Sequence, residues 1–275
     1  QYGFRGRKPD SENVINFLAV GGSTTDERYL NLEDTWAEQL EKAFRDNSKY
    51  IDVVNAGIDG QSSFGHIWNL REWINKIDDL KINNIIFYIG INEKEYPGRH
   101  DLNIDRVKYP KKILYILKYN NGFVSKLYEF FVHKYNPIDE LNVAHSKSRT
   151  ANYKKILPSN NFNTNFLSKN INELIKISKE LKINPIFVTQ RTARWKLNKN
   201  QVYSISEGYD YYSREKIISE TILKICEKYK LICIDGFNQL NLNNEDTYDL
   251  VHTNPEGSKK IANFIFKSLQ KEGFK

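Results

Sequence analysis

Three residue types that could perform nucleophilic acyl chemistry stand far apart in this chain: Ser23 in "VGGSTT", and Asp249 and His252 in "DLVHTNPEG". A serine hydroxyl is a poor nucleophile until a neighbouring base takes its proton during attack. His252 has the group for that. A carboxylate three residues away, on Asp249, could hold the imidazole tautomer and stabilise the imidazolium that forms. Attack on an ester builds an oxyanion, which needs donors already aimed at it. Candidate donors stand in two further stretches: Asn55, Gly57 and Gly60 in "NAGIDGQSS", and Gly90 and Asn92 in "YIGINE". Each fragment alone is ordinary: Gly-Ser turns abound, and Asn is a common turn residue. Their meaning depends on where the fold puts them.

Five short runs rich in Ile, Val and Phe read as strands: 14–20, 51–57, 84–90, 184–190 and 230–236. They are nearly continuous in apolar character, as parallel strands covered on both faces are. Helical spacing lies between them. Trp36, Leu40 and Phe44 form one stripe, and Phe64, Ile67 and Trp68 open another that runs on to Ile74 and Ile77. Leu167, Ile171 and Leu174 begin a third, Ile218, Ile222 and Ile225 a fourth. The last helix follows Asn254, a natural N-cap, with Pro255 at its first position. Strand and helix alternate, so the expected fold is a three-layer α/β/α, flavodoxin-like, doubly wound parallel sheet of about five strands. Residues 96–165 hold no clear core strand and are too many for a loop. They are expected to be an insertion after the third strand, within one domain spanning 1–275. Ser23, Gly60 and Asn92 then follow the C-terminal ends of three strands, where such sheets carry their sites, and His252 precedes the final helix.

In that arrangement the sequence resembles the SGNH (GDSL-type) hydrolase superfamily over nearly its whole length. "GGST" is similar to the nucleophile block, "NAGIDGQS" to the second, "GINE" to the third and "DLVH" to the last. The resemblance implies a catalytic Ser23, Asp249 and His252, with an oxyanion hole formed by Ser23, Gly60 and Asn92. Gly22 stands where better-known members have Asp, and Glu93 replaces the Asp that usually follows the Asn. The resemblance also implies a serine esterase that needs no cofactor and no metal. The GGST form resembles bacterial members acting on surface carbohydrates, often anchored in the membrane upstream. The expected reaction is therefore removal of a small acyl group, acetyl first, from a carbohydrate. An O-acyltransferase using the same triad and a non-catalytic glycan-binding relative are the alternatives. A flavodoxin-like phosphate binder lacks a Gly-x-x-x-x-Gly-Lys-Ser/Thr motif and leaves Asp249 and His252 without a purpose.

The remaining features set limits. No run approaches the length of a membrane span. The chain opens on Gln1 and has no Met, the expectation for a processed or trimmed form, with a signal or membrane anchor upstream as one alternative. An extracytoplasmic location in a bacterium is the expected setting. The net charge is +7, but Lys and Asn are scattered rather than gathered with aromatics, so nucleic acid is not expected as a partner. Cys226 and Cys233 read as two small core residues. His66, His100, His133 and His145 have no evident partners and read as exposed or structural. Gln190, Arg191, Arg194 and Trp195 follow the fourth strand and are the expected substrate-binding residues, an arginine there suiting an acidic sugar. The Tyr- and Phe-rich insertion would either stack on sugar rings or form a small core of its own.

Overall fold

The run that ends at Gly21 is an inner strand of a parallel sheet in this computed structural model, which describes residues 3–6, 14–47, 49–97, 151–159, 162–205 and 210–274. The described strands, in chain order, are β1 (Val14–Gly21), β2 (Val53–Asn55), β3 (Lys81–Ile89), β4 (Lys154–Lys155), β5 (Asn184–Thr189), β6 (Trp195–Asn198), β7 (Gln201–Ser204) and β8 (Cys233–Ile234). The described α-helices are α1 (Ser23–Asp26), α2 (Trp36–Asp46), α3 (Ser63–Glu72), α4 (Asn165–Glu180), α5 (Tyr211–Tyr229), α6 (Gly236–Gln239) and α7 (Pro255–Lys271). The main sheet runs β2-β1-β3-β5-β8 and every pairing is parallel. Leu18 lies opposite Val54 and Ile85, and Ile86 opposite Ile186. This is the expected doubly wound order, with the chain reversing direction across the sheet at β1.

Side chains on β1 alternate between two cores, as pleating requires. Phe17 and Ala19 pack with Trp36, Leu40 and Phe44 of α2 and Ile261, Ile265 and Leu269 of α7. Leu18 and Val20 pack with Ile67 and Leu70 of α3, Ile171 and Leu174 of α4, and Ile218 and Ile222 of α5. Two helical layers thus cover the sheet. The helix starts are chemically marked: the Thr35 side chain accepts from the Glu38 N–H, and that of Asn254 accepts from the Gly257 N–H at 3.0 Å, with Pro255 next.

Three features differ from expectation. Residues 195–204 form a β6–β7 hairpin that, with β4, makes a second, antiparallel sheet. Its two-residue turn, Lys199-Asn200, has φ of 46° and 62° at residues other than glycine, so the usual Asn-Gly marker is missing. The fifth main strand is only Cys233–Ile234 rather than 230–236. After α5 the chain reverses through Lys230 at φ 53°, which returns Leu231 N–H to the Cys226 carbonyl. That reversal also corrects the reading of the cysteines: Cys226 and Cys233 form a disulfide, with Cα atoms 6.2 Å apart. Of the expected insertion, 98–150 and 160–161 lie outside the described residues. Its two flanks meet, since the Asn163 N–H donates to Glu95 Oε1 at 2.8 Å. Among the described residues, no helix is long and apolar enough to cross a membrane.

Candidate active site

β1 ends at Gly21 and the chain turns at once into α1. The N–H groups of Thr25 and Asp26 donate to the Gly22 carbonyl at 3.0 and 2.9 Å, closing a turn with Ser23 at its head. Both glycines are required by close approach. A Cβ on Gly21 would lie 2.7 Å from the Tyr88 carbonyl oxygen, and one on Gly22 would lie 2.3 Å from Asn92 Nδ2. The bare backbone at Gly22 is what lets the Asn92 amide come up beside the serine turn.

The second half of the site is a tight loop between Thr247 and Thr253, which form an antiparallel bridge. Leu250 takes the left-handed conformation at φ 71° and turns Asp249 back on the loop. Asp249 Oδ1 accepts the N–H groups of Val251 and His252 at 2.9 and 2.6 Å. Its Oδ2 faces His252 Nδ1 at 2.5 Å, and His252 Nε2 lies 2.7 Å from Ser23 Oγ. With Nδ1–H donating to the carboxylate, Nε2 is the acceptor that faces the hydroxyl; the tautomer follows from this bonding pattern. Burial pushes the Asp249 carboxyl up. The hydrogen bonds from the His252 ring and from the two amides outweigh it and hold the pKa below the ordinary Asp value. The Tyr248 ring stacks on the imidazole, with centroids 5.6 Å apart. The His252 and Asp249 side chains remain 27% and 21% exposed, so solvent and small molecules can reach them.

Asn92 Nδ2 donates to the Gln61 carbonyl at 3.1 Å, which sets it next to Gly60. Among the described residues the N–H groups of Ser23 and Gly60 have no acceptor. The donors expected around an oxyanion are therefore brought to one corner of the sheet edge.

Two buried carboxylates to which sequence reasoning gave no role join these pieces. Glu93 accepts from the N–H and hydroxyl of Ser63 at 2.8 and 2.6 Å, tying the start of α3 to the Asn92 turn. Arg214 donates to the Glu93 carbonyl from α5. Glu27, just after α1, accepts from Trp36 N–H at 2.6 Å and from the hydroxyls of Thr253 and Ser258 at 2.9 and 2.5 Å. It thus links the Ser23 turn to the segment after His252. Burial raises its pKa to about 7 against those hydrogen bonds. Glu27 is cued in the sequence only by its nearness to the "GGST" block, and Glu93 by its place in "GINE".

The residues expected to bind substrate divide. Trp195 is 1% exposed and its Nε1 donates to Glu215 at 2.7 Å; it belongs to the interior, where its bulk packs on Tyr212 and Phe237. Gln190 is also committed to the protein, with Nε2 donating to Thr24 Oγ1 at 2.7 Å and Oε1 accepting Ile91 N–H at 2.8 Å. Position after a strand end places a residue at the edge but does not set which way its side chain turns, and both turn inward. Arg191 and Arg194 are half-buried and face aromatic rings. His66 is wholly buried, with burial lowering its pKa to about 3; His100, His133 and His145 lie outside the described residues. Among the described residues no cluster of three His, Cys, Asp or Glu could hold a metal ion.

No family model matches the sequence, and no curated protein matches it. Solved structures do. The psychrotrophic esterase EstA from Pseudoalteromonas sp. matches with a TM-score of 0.52 at 14% identity, covering 94% of this chain and 98% of that one. The acetyl xylan esterase AlAXEase matches at 0.52 and 14%, covering 93% and 100%. A member of the lipolytic G-D-S-L family from Veillonella parvula matches at 0.51 and 13%, covering 94% and 99%. At such identities the likeness concerns the fold: an α/β fold with a five-stranded parallel sheet flanked by helices, that of SGNH hydrolases.

Proposed function

We propose that this chain is a serine esterase that removes a small acyl group, acetyl first, from a carbohydrate through an acyl-enzyme. The observation that carries the reading is the chain of contacts from Asp249 through His252 to Ser23, with 2.7 Å between Nε2 and Oγ. In the first step Ser23 Oγ attacks the ester carbonyl while His252 Nε2 takes its proton. The oxyanion forms against the N–H groups of Ser23 and Gly60 and the Asn92 amide, whose second N–H is free to turn outward while the first holds Gln61. His252 then gives the proton to the departing alcohol. Water attacks the acyl-Ser23 with His252 again as base, releasing the acid and restoring the hydroxyl. This chain's residues supply every proton transfer, with Asp249 balancing the transient imidazolium.

The carbohydrate substrate is supported by the GGST resemblance and by the acetyl xylan esterase among the structural neighbours. An extracytoplasmic setting is supported by the Cys226–Cys233 disulfide, which oxidising compartments favour. The chain is read as one domain over 1–275 with 96–165 inserted. The test is turnover of p-nitrophenyl esters of increasing chain length, then of acetylated xylan, by wild type and Ser23→Ala. Hydrolysis of the acetate that falls with chain length and vanishes in Ser23→Ala is expected. Activity that survives Ser23→Ala would sink the serine mechanism.

A further inference from the structure

The loop from Gln190 to Arg194 is fastened to every part of the site. Gln190 reaches Thr24, next to Ser23, and holds Ile91 N–H, next to Asn92, while the Ala193 N–H donates to the carbonyl of Leu250, next to Asp249, at 2.9 Å. The loop carries two guanidinium groups, and among the described residues neither has a hydrogen-bond acceptor or a carboxylate at ion-pair distance. Arg191 lies 4.1 Å above the Trp195 ring and its Nε is buried without a partner. Arg194 lies 4.6 Å above the Tyr211 ring. The buried carboxylate close enough to influence both, Glu215, spends its oxygens on Thr192 N–H, the Thr192 hydroxyl and Trp195 Nε1.

A guanidinium does not deprotonate under ordinary conditions, so Arg191 keeps its charge despite its burial. A partly desolvated cation with an unpaired donor is costly, and ring faces return only part of that cost. Each guanidinium rests against a ring at cation–π distance, which restricts its freedom before a ligand arrives.

We infer that Arg191 and Arg194 form an anion-binding subsite beside the Ser23 cleft, and that the acylated substrate is an acidic glycan bearing carboxylate, sulfate or phosphate. The reaction attached to this subsite rests on the esterase reading; the anion preference stands on the arginines alone. Binding to the Ser23→Ala protein separates the two. Calorimetry with oligogalacturonate and with its fully methyl-esterified form compares one sugar with and without charge, and inorganic sulfate and phosphate are titrated in parallel. The acid should bind about tenfold or more tightly than its ester, the loss expected for one charge-assisted hydrogen bond. That preference should weaken with added salt, disappear in Arg191→Gln and in Arg194→Gln, and return in part in Arg191→Lys. Tighter binding of sulfate or phosphate than of the uronate assigns the subsite to those groups. Equal affinity for acid and ester with no binding of either inorganic anion overturns it, as does a preference that survives both Gln substitutions. If wild type leaves p-nitrophenyl acetate intact while the anion preference holds, the esterase reading fails and the subsite remains.

Discussion

Asp249 uses both oxygens: Oδ1 takes two backbone amides and Oδ2 the imidazole. Replacing it with Asn keeps the side chain's size but offers an N–H where an acceptor is needed. The ring is then free to adopt the tautomer that turns an N–H toward Ser23, or to leave the hydroxyl. Asp249→Asn should lower kcat for p-nitrophenyl acetate by up to about 10⁴, the extent seen when a triad Asp is so changed in a serine protease. His252→Ala should remove activity at least as fully, with circular dichroism unchanged in both. A variant of either kind retaining near wild-type kcat would remove that residue from the mechanism. These three residues were legible in the sequence because the chemistry demands particular types and the motifs bound their positions. Gln190 and Trp195 were legible only as edge residues. Their inward direction depends on partners, Thr24 and Glu215, that lie far away along the chain.

At the scale of elements, the question is what holds Gly60 and Asn92 at a fixed separation. They come from different strand ends, and the Asn92 side chain ties one loop to the other by donating to the Gln61 carbonyl. Glu93 adds a second tie: its carboxylate caps the first turn of α3 at Ser63, where the helix dipole favours negative charge. Asn170 of α4 adds to it by donating to the Ser63 hydroxyl at 3.1 Å. Glu93→Ala should let the two loops drift and lower kcat for p-nitrophenyl acetate by up to about 10², the lower end of the loss seen when an oxyanion donor is removed. KM should change little, and Glu93→Gln, which still accepts at one oxygen, should recover part of the rate. If kcat per folded molecule is unchanged while only the melting temperature falls, Glu93 is structural and nothing more. The main sheet and its helices were legible from periodicity. The β4-β7-β6 sheet was not, because its strands are two to four residues long and exposed Lys and Asn interrupt their apolar pattern.

For the molecule as a whole, the covalent link and the buried charges determine when the site is held together. The Cys226–Cys233 bridge closes a short loop of seven residues' separation, and its removal should cost about 2–3 kcal/mol in the chain-entropy view. A Cys226→Ala/Cys233→Ala double variant should show this in its urea midpoint, and the unreduced, unfolded wild type should present no thiol to a thiol reagent; two titrating thiols would remove the bridge. Two buried groups of opposite sign, Glu27 and His66, contribute to the pH response, and buried Glu215, its carboxyl also pushed up by desolvation, acts in the same direction as Glu27. Glu27 has its pKa raised from 4.5 to about 7, so its protonated form suits the fold: this contribution is complete below 4.5 and is lost as pH rises toward 7. His66 has its pKa lowered from 6.5 to about 3, so its neutral form suits the fold: this contribution is complete above 6.5 and is lost as pH falls toward 3. Each can tilt stability by at most about 1.4 kcal/mol per pH unit while it alone titrates. Between pH 4.5 and 6.5 the two slopes oppose each other. Substitution should expose each slope separately. Relative to wild type, Glu27→Gln should lose stability more steeply as pH falls through this window, because the His66 slope is then opposed less. His66→Leu should become less stable as pH rises through it, because Glu27 is then unopposed. Urea midpoints measured across the window decide the matter, and curves for the two variants that run parallel to wild type would show that neither group titrates inside the fold. Because Glu27 joins the Ser23 turn to Thr253, the slope it imposes falls on the contact that sets Ser23 against His252.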